Sequence, residues 1–349
     1  MSRKVDSTPD LKTIAEYAHV SVSSVSRVLN NIEPVSTKVK QKVNAAIDEL
    51  GRPKVSRRQH IGAWALYLAI PDDMNPYFPE IIHGAVSEAS RHGYVVHVLN
   101  ITETQNPNSA YWKWIKRDPS VAGLVIIAGI FSNSDLEKFH RDFHKPLVVL
   151  HPWENSTLSI PTIKINYAES IKMVTQHLID LQHKRFAFLA GALYTPDGRS
   201  PVVVEKLLGV QSTLESAGLS IDENALLEGP PTIDWGFQAT KQLLSYPTSK
   251  RPTAIICSSD MVALGALHAA RSSNLSIPKD VSVVGFDDIS MAAHANPPLT
   301  TVAIPKQRMG RLAVQIILRL RDSQSTALNE YYMLESPLIV RESSGRAHS

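Results

Sequence analysis

The sequence predicts an α-helical helix-turn-helix head followed by an α/β body of two doubly wound parallel-sheet lobes. Three observations lead there. Residues 10–50 carry apolar side chains at helical spacing in three short segments. From residue 64 onward, short β-rich apolar runs alternate with amphipathic helical stretches, the rhythm of parallel βαβ units and long enough here for two sheets. Positive charge is gathered at the start: residues 1–60 hold eleven Lys/Arg against six Asp/Glu, whereas the other 289 hold twenty-five against twenty-seven. A basic head on a nearly neutral body points to a polyanion met by the head alone.

The head is taken first. Asp10 is placed to cap a helix carrying Leu11, Ile14, Ala15 and Ala18 on one stripe. His19-Val20-Ser21 makes a tight turn, and Ser21 is a natural N-cap for a second helix that turns Val25, Val28 and Leu29 inward. Ser36 opens a third helix with Val39, Val43, Ala46, Ile47 and Leu50 on one face, and Gly51 stands where a helix end favours a left-handed residue. Two short helices joined by a three-residue turn form a helix-turn-helix. The outward residues of its second helix are Val22, Ser23, Ser24, Ser26, Arg27 and Asn30. Val22 and Ser23 are short enough to let the backbone approach base edges. Val22 suits a thymine methyl, Ser23 can donate or accept, and Arg27 has the reach for a guanine. Ser21, beside free amides, suits a phosphate. Taken without the order of its residues, the segment is equally a small three-helix unit with a polar face.

The body follows. Strands are expected over Leu66–Ile70, Val95–Leu99, Leu124–Ala128, Leu147–Leu150, Ile163–Asn166, Phe186–Ala190, Ala254–Ser258 and Val281–Phe286. Helices are clearest over Ala168–Leu181, Val203–Ser216 and Met261–Arg271. Ligands of such sheets bind outside the carboxyl ends of the strands, or between two sheets facing each other across a cleft. The expected domains are 1–51, the DNA-binding head; 52–63, a basic hinge or linker; and 64–345, a two-lobed effector-binding and dimerisation unit.

Several classes are excluded. No Gly-x-Gly occurs anywhere, nor a phosphate loop, a Gly-x-Ser-x-Gly elbow or a His-Glu-x-x-His, so no catalytic residue is assigned. Thirteen scattered histidines and one cysteine make a metal site improbable, and no cofactor is expected. Cys257 lies in an apolar run and reads as a buried, inert thiol. Met1-Ser2-Arg3-Lys4-Val5-Asp6 has no apolar stretch behind its charges and no run is long enough to span a bilayer, so the expected location is cytoplasmic, with no membrane partner.

The run from Thr13 to Asn30, Thr-Ile-Ala-Glu-Tyr-Ala-His-Val-Ser-Val-Ser-Ser-Val-Ser-Arg-Val-Leu-Asn, closely resembles the DNA-binding signature of the lactose-repressor (LacI) family. The third helix, with Val43, Ala46, Ile47, Glu49, Leu50 and Gly51, is similar too. In the body, Asn75-Pro76-Tyr77-Phe78, the stretch from Leu181 to Gly191, Ser259-Asp260-Met261-Val262-Ala263-Leu264-Gly265-Ala266, Val283-Val284-Gly285-Phe286-Asp287-Asp288 and Pro298-Leu299-Thr300-Thr301-Val302 resemble the family's effector domain, itself similar to periplasmic sugar-binding proteins. The likeness runs over about residues 10–345. It implies a ligand-responsive, sequence-specific DNA-binding transcriptional regulator, a repressor of a carbohydrate or related small-metabolite operon. It also implies a homodimer on pseudo-palindromic double-stranded operator DNA, with a sugar or sugar derivative as effector. Whether effector releases or promotes DNA binding stays open, as does a tetramer. A constitutive DNA-binding dimer and a solute-binding protein are the alternatives.

Carried over by position, the resemblance implies effector contacts for Asp287, Tyr77, Phe78 and Asp260. Core packing for Phe78 and helix capping for Asp260 stand as equal readings. Where the family usually has Arg three residues before a helix glycine, this chain has Lys206 before Gly209, with Arg199 in the preceding loop as a second cation. Ser259 replaces the usual Asn, His19 the usual turn Gly, and apolar Ile304 a common polar position. Trp153 and Trp235 are each a stacking platform or a structural residue. The family's hinge helix inserts a leucine into the minor groove, and its Ala-Arg-Ser-Leu-like stretch is absent here. The nearest candidate is Arg57-Arg58-Gln59-His60-Ile61, with Ile61 as wedge and Arg57 and Arg58 on phosphates; a solvated linker is the other reading.

Overall fold

The computed structural model describes residues 9–29, 35–50, 65–70, 75–100, 110–127, 131–151, 158–191, 194–195, 198–199, 201–322 and 330–347. The chain divides into two compact units, residues 1–63 and 64–349.

The first unit contains α1 (Leu11–Ala18), α2 (Val22–Leu29) and α3 (Thr37–Leu50). Asp10 caps α1 by accepting from the Thr13 amide at 2.8 Å, and the Ser21 and Ser36 hydroxyls accept from the amides of Ser24 and Val39. Helix α1 ends at His19, whose φ of 51° is left-handed, and the His19 amide closes back on the Ala15 and Glu16 carbonyls. Ile14, Ala15, Ala18, Val25, Val43 and Ala46 form a closed interior, with Leu11, Val28, Leu29, Val39, Ile47 and Leu50 half-buried around it. These are the stripes expected from the spacing. Gly51 and the joint over 52–63 lie outside the described residues.

The second unit holds the two lobes. In chain order its elements are β1 (Ala65–Ile70), α4 (Tyr77–Arg91), β2 (Val95–Asn100), α5 (Ala110–Arg117), β3 (Val121–Ile127), α6 (Asn133–Phe143), β4 (Leu147–Leu150), β5 (Thr162–Ile165) and α7 (Tyr167–Asp180). There follow β6 (Phe186–Leu189), β7 (Tyr194–Thr195), β8 (Gly198–Arg199), α8 (Pro201–Ser216), β9 (Ile221–Leu227), α9 (Ile233–Leu244), β10 (Ala254–Cys257) and α10 (Asp260–Ser272). The chain closes with β11 (Ser282–Val284), β12 (Thr301–Val302), α11 (Lys306–Asp322), β13 (Tyr331–Leu334) and β14 (Leu338–Ile339). One sheet has the order β13-β5-β4-β3-β1-β2 and the other β11-β10-β6-β9, with parallel pairing throughout both. Strands β1, β3, β4, β6 and β10 are buried along their whole length, as central parallel strands covered on both faces must be.

The chain passes between the lobes three times: from β5 into α7, from β12 into α11, and from β13 to β14, which pairs antiparallel with β12. Helix α11 thereby returns to the first lobe and lies along α4. Two glycines set that approach. A Cβ on Gly84 would sit 2.1 Å from the Gln307 carbonyl oxygen, and one on Gly310 would sit 2.1 Å from that of Ile81. The two helices therefore pack backbone to backbone.

The expected strand over Val281–Phe286 is regular only across Ser282–Val284. Gly285 is pressed against the Asp260 carboxylate, 2.2 Å from where a Cβ would stand, and the backbone then turns left-handed at Asp287 (φ 119°) and Asp288 (φ 49°). Strand β9, with the polar run Asp222-Glu223-Asn224, shows little alternation because it is an edge strand with its side chains largely outside. Cys257 is fully buried in the second lobe, where lost hydration pushes its thiol well above the usual range. Among the described residues no helix is long and apolar enough to cross a membrane, and no group of three or more His, Cys, Asp or Glu could hold a metal ion.

Candidate functional site

Side chains from both lobes converge where the sheets face each other. From the first lobe come Tyr77 in the first turn of α4 and His151 just beyond β4. From the second come Tyr167 opening α7, Lys206 on α8, and Phe286 and Asp287 after β11. His151 is buried and bridges two phenols: the Tyr77 hydroxyl lies 2.8 Å from Nε2 and the Tyr167 hydroxyl 2.5 Å from Nδ1. Burial, with the cations Lys206 and Lys164 adding to it, pulls the imidazole down to about 3, so it is neutral and offers one donor and one acceptor. Lost hydration raises both phenols well above their usual range, with Asp287 charge adding to it, so both stay protonated.

Lys206 is buried. Its ammonium donates to the Ser258 carbonyl at 2.8 Å and stands 3.7 Å from the Phe286 ring centroid and 5.2 Å from that of Tyr167. Aromatic faces carry part of the solvation water would supply. Burial lowers its pKa to about 8, opposed by Asp287, Asp260 and Glu205. Asp287 is half-buried, and lost hydration pushes its carboxyl up to about 7, with Lys206 pulling it back. Among the described residues its carboxylate makes no hydrogen bond or ion pair. The seam thus brings the Asp287 carboxyl within electrostatic reach of the Lys206 ammonium, which itself packs against aromatic faces.

The other expected effector residues are placed as follows. Phe78 is buried in the core shared by the lobes, its ring edge-on to Tyr77 at 5.4 Å. Asp260 is wholly buried and fully engaged: it accepts from the Thr301 hydroxyl at 2.5 Å and the Ile289 amide at 2.8 Å, while Ser259 is the N-cap of α10. Arg199 lies on the β7–β8 hairpin, and its side chain and Trp153 lie outside what is described. Trp235 covers Gly229 and packs on the outer layer of the second lobe. Ile304 is core. His151 and Tyr167 were not singled out from the sequence; a histidine directly after β4 and a tyrosine two residues after β5 are the signal that was there to find.

In the first unit, Val22 is 44% exposed at the start of α2 and Arg27 projects one turn further along. The Ser21 hydroxyl also meets that of Ser24 at 2.8 Å. The side chains of Ser23 and Ser26, and all of Asn30, Arg57, Arg58 and Ile61, lie outside the described residues.

Residues 10–51 match the model of bacterial regulatory proteins of the lacI family, and residues 175–344 match a periplasmic binding protein-like domain. The chain is 30% identical to the HTH-type transcriptional repressor PurR of Vibrio atlanticus (strain LGP32), over 89% of this chain and 92% of that one. It belongs to the lacI family. Among other relatives of the family, the HTH-type transcriptional repressor CytR of Escherichia coli (strain K12) is 29% identical over 98% of both chains. Two solved structures superpose along nearly the whole length. One is the lac repressor dimer bound to operator and the anti-inducer ONPF, with a TM-score of 0.71, 26% identity and coverage of 97% of this chain and 99% of that one. The other is a complex of the transcriptional regulator CelR with cellobiose, with a TM-score of 0.68, 26% identity and coverage of 96% and 99%. The family's members are transcriptional repressors and not enzymes, and this chain carries their head and their effector-binding body.

Proposed function

We propose that this lacI-family repressor is a cytoplasmic homodimer that binds a pseudo-palindromic operator and is switched by a neutral, hydroxyl-rich metabolite held between its lobes. Ser21 would hold a phosphate, Val22, Ser23, Ser26, Arg27 and Asn30 would read the major groove, and Arg57, Arg58 and Ile61 would engage DNA at the joint. The exposure of Val22 and Arg27 on one helix supports the reading, as does the operator-bound dimer of the similar lac repressor.

The observation that carries the effector reading is the unpaired Asp287 carboxylate beside the Lys206 ammonium, with Tyr77 and Phe286 as apolar walls. A hydroxyl donates to the carboxylate and accepts from the ammonium, so adjacent hydroxyls on a ring satisfy both groups without adding net charge. Aromatic faces suit the apolar side of such a ring. Phe78, Asp260, Arg199 and Trp153 complete the candidate set. CelR, a similar regulator, is solved with cellobiose.

The test has two arms. Selection of genomic fragments by the full chain should return a two-fold symmetric sequence. A thermal-shift screen of sugars and nucleosides on the same chain should find a stabilising compound, worth about 2.7 kcal/mol at 100 times its dissociation constant. No hit across such a library would leave a DNA-binding dimer without an effector.

A further inference from the structure

We propose that Lys306 couples the Asp287–Asp288 loop of the second lobe to the first lobe, so that an event at Asp287 alters operator affinity through Glu80 and the α4–α11 pair. The proposal rests on the reading above that Asp287 faces the effector.

Lys306 is the first residue of α11, at the point where the chain leaves one lobe for the other, and it is only 2% exposed. An ammonium so deeply buried must be paired and hydrogen-bonded. Its partners come from both sides of the seam. It donates to the Asp287 carbonyl and to the Asp288 carbonyl at 2.9 Å, and it lies 3.4 Å from Oε1 of Glu80, in the first turn of α4.

The loop end of this bridge is under restraint. Asp287 and Asp288 are consecutive non-glycine residues at positive φ, a conformation that persists only where the surroundings impose it. The restraints are the Lys306 ammonium on both carbonyls, the Asp287 amide donating to the Val302 carbonyl at 3.0 Å, and Arg341 on the Asp288 carboxylate at 2.8 Å. Of these, only Lys306 reaches α4. A ligand that draws the Asp287 side chain to itself turns the carbonyls of this loop, and the ammonium must then shift its balance between them and Glu80.

The other end is stiff. Glu80 stands one turn beyond Tyr77 on α4, and α4 is locked to α11 at Gly84 and Gly310. A displacement at the start of α11 therefore moves two helices of the first lobe as a body. Coupling between sites requires an element that both can bias, and this restrained loop, held by Lys306, is the one the proposal assigns.

The experiment uses the full chain in four forms: unaltered, Lys306→Met, Lys306→Arg and Glu80→Gln. Operator affinity is read by fluorescence anisotropy on the duplex recovered by genomic selection. Lobe separation is read by electron-electron distance measurement between spin labels at Lys138→Cys on α6 and Lys172→Cys on α7, both exposed, with Cys257 buried and unreactive. The expected result is that Lys306→Met and Glu80→Gln shift the lobe distances in the same direction and each change operator affinity at least fivefold, with Lys306→Arg lying nearer the unaltered chain. Wild-type distances and affinity in both neutral variants would overturn the proposal. So would an effect of Lys306→Met that Glu80→Gln does not share, since Lys306 would then only strap the loop. Glu80 is a third exposed, so its variant keeps the test open where Lys306→Met fails to fold. Failure of the effector reading shows separately, as a screen of sugars and nucleosides without a hit.

Discussion

The Lys206 ammonium rests 3.7 Å from the Phe286 ring centroid and donates to the Ser258 carbonyl at 2.8 Å. Replacing it with Met keeps the volume and the aromatic contact and removes the donors and the charge. Lys206→Met should fold, should lose at least tenfold in affinity for whichever sugar or nucleoside the screen identifies, and should bind operator as the unaltered chain does. Calorimetric titration and anisotropy check the two halves. Unchanged metabolite affinity would remove Lys206 from the site.

Asp260, wholly buried, and Asp287, half-buried, both have a carboxyl pKa raised by lost hydration, yet they should behave differently. Asp260→Ala leaves the Thr301 hydroxyl and the Ile289 amide without their acceptor, at about 1–3 kcal/mol for each group, so urea unfolding should show a marked loss of stability. Asp287→Ala breaks no hydrogen bond of its carboxylate among the described residues. It should leave stability and operator binding nearly intact while abolishing the response to the metabolite.

His151 gives a pH dependence of known sign. Its pKa is 6.5 when unfolded and about 3 when folded. Between those values the unfolded chain binds a proton that the folded one does not, so acidification favours unfolding. Stability should fall through the window from pH 6.5 toward 3 by a contribution approaching about 1.4 kcal/mol per pH unit. His151→Gln should flatten that part of the profile. Equal slopes for the two chains in urea titrations at pH 6.5, 5.5 and 4.5 would show that the imidazole is not held neutral.

Gly310→Ala places a Cβ 2.1 Å from the Ile81 carbonyl oxygen, a clash only backbone movement can relieve. It should cost about 1–3 kcal/mol by urea unfolding, the range for overpacking a tight interface. Gly93→Ala offers a contrast: its Cβ meets nothing within 4 Å, and its cost is confined to the left-handed backbone at φ 76°.

Arg27→Ala should weaken operator binding by about 1–3 kcal/mol and relax the preference at one base pair of each half-site. An equal loss on every sequence would make Arg27 a phosphate contact.

The parts of this molecule legible in the sequence are those with a local period. The three head helices announced themselves through Ile14, Ala18, Val25 and Val43, and the central strands through unbroken apolar runs such as Leu147–Leu150. What stayed hidden depends on chain crossings. Tyr77, His151 and Tyr167 are separated by 74 and 16 residues, and no spacing rule brings them to one imidazole. Asp260 read as a cap or a pocket residue with equal weight, because its partners Thr301 and Ile289 arrive from strands and turns 41 and 29 residues away. Edge strands β9 and β13 were missed for the opposite reason: half-exposed strands carry too little apolar pattern to mark them.

The head closes its own interior with six fully buried side chains, and none of them is among the residues exposed on the face of α2. On the function proposed above, recognition is written on positions that packing does not police. On the same reading, substitutions at Val22 or Arg27 change which sequence is read while the head keeps its fold and the residues around Asp287 stay as they are. In a lineage of duplicated regulators, address and signal are then free to diverge at separate rates.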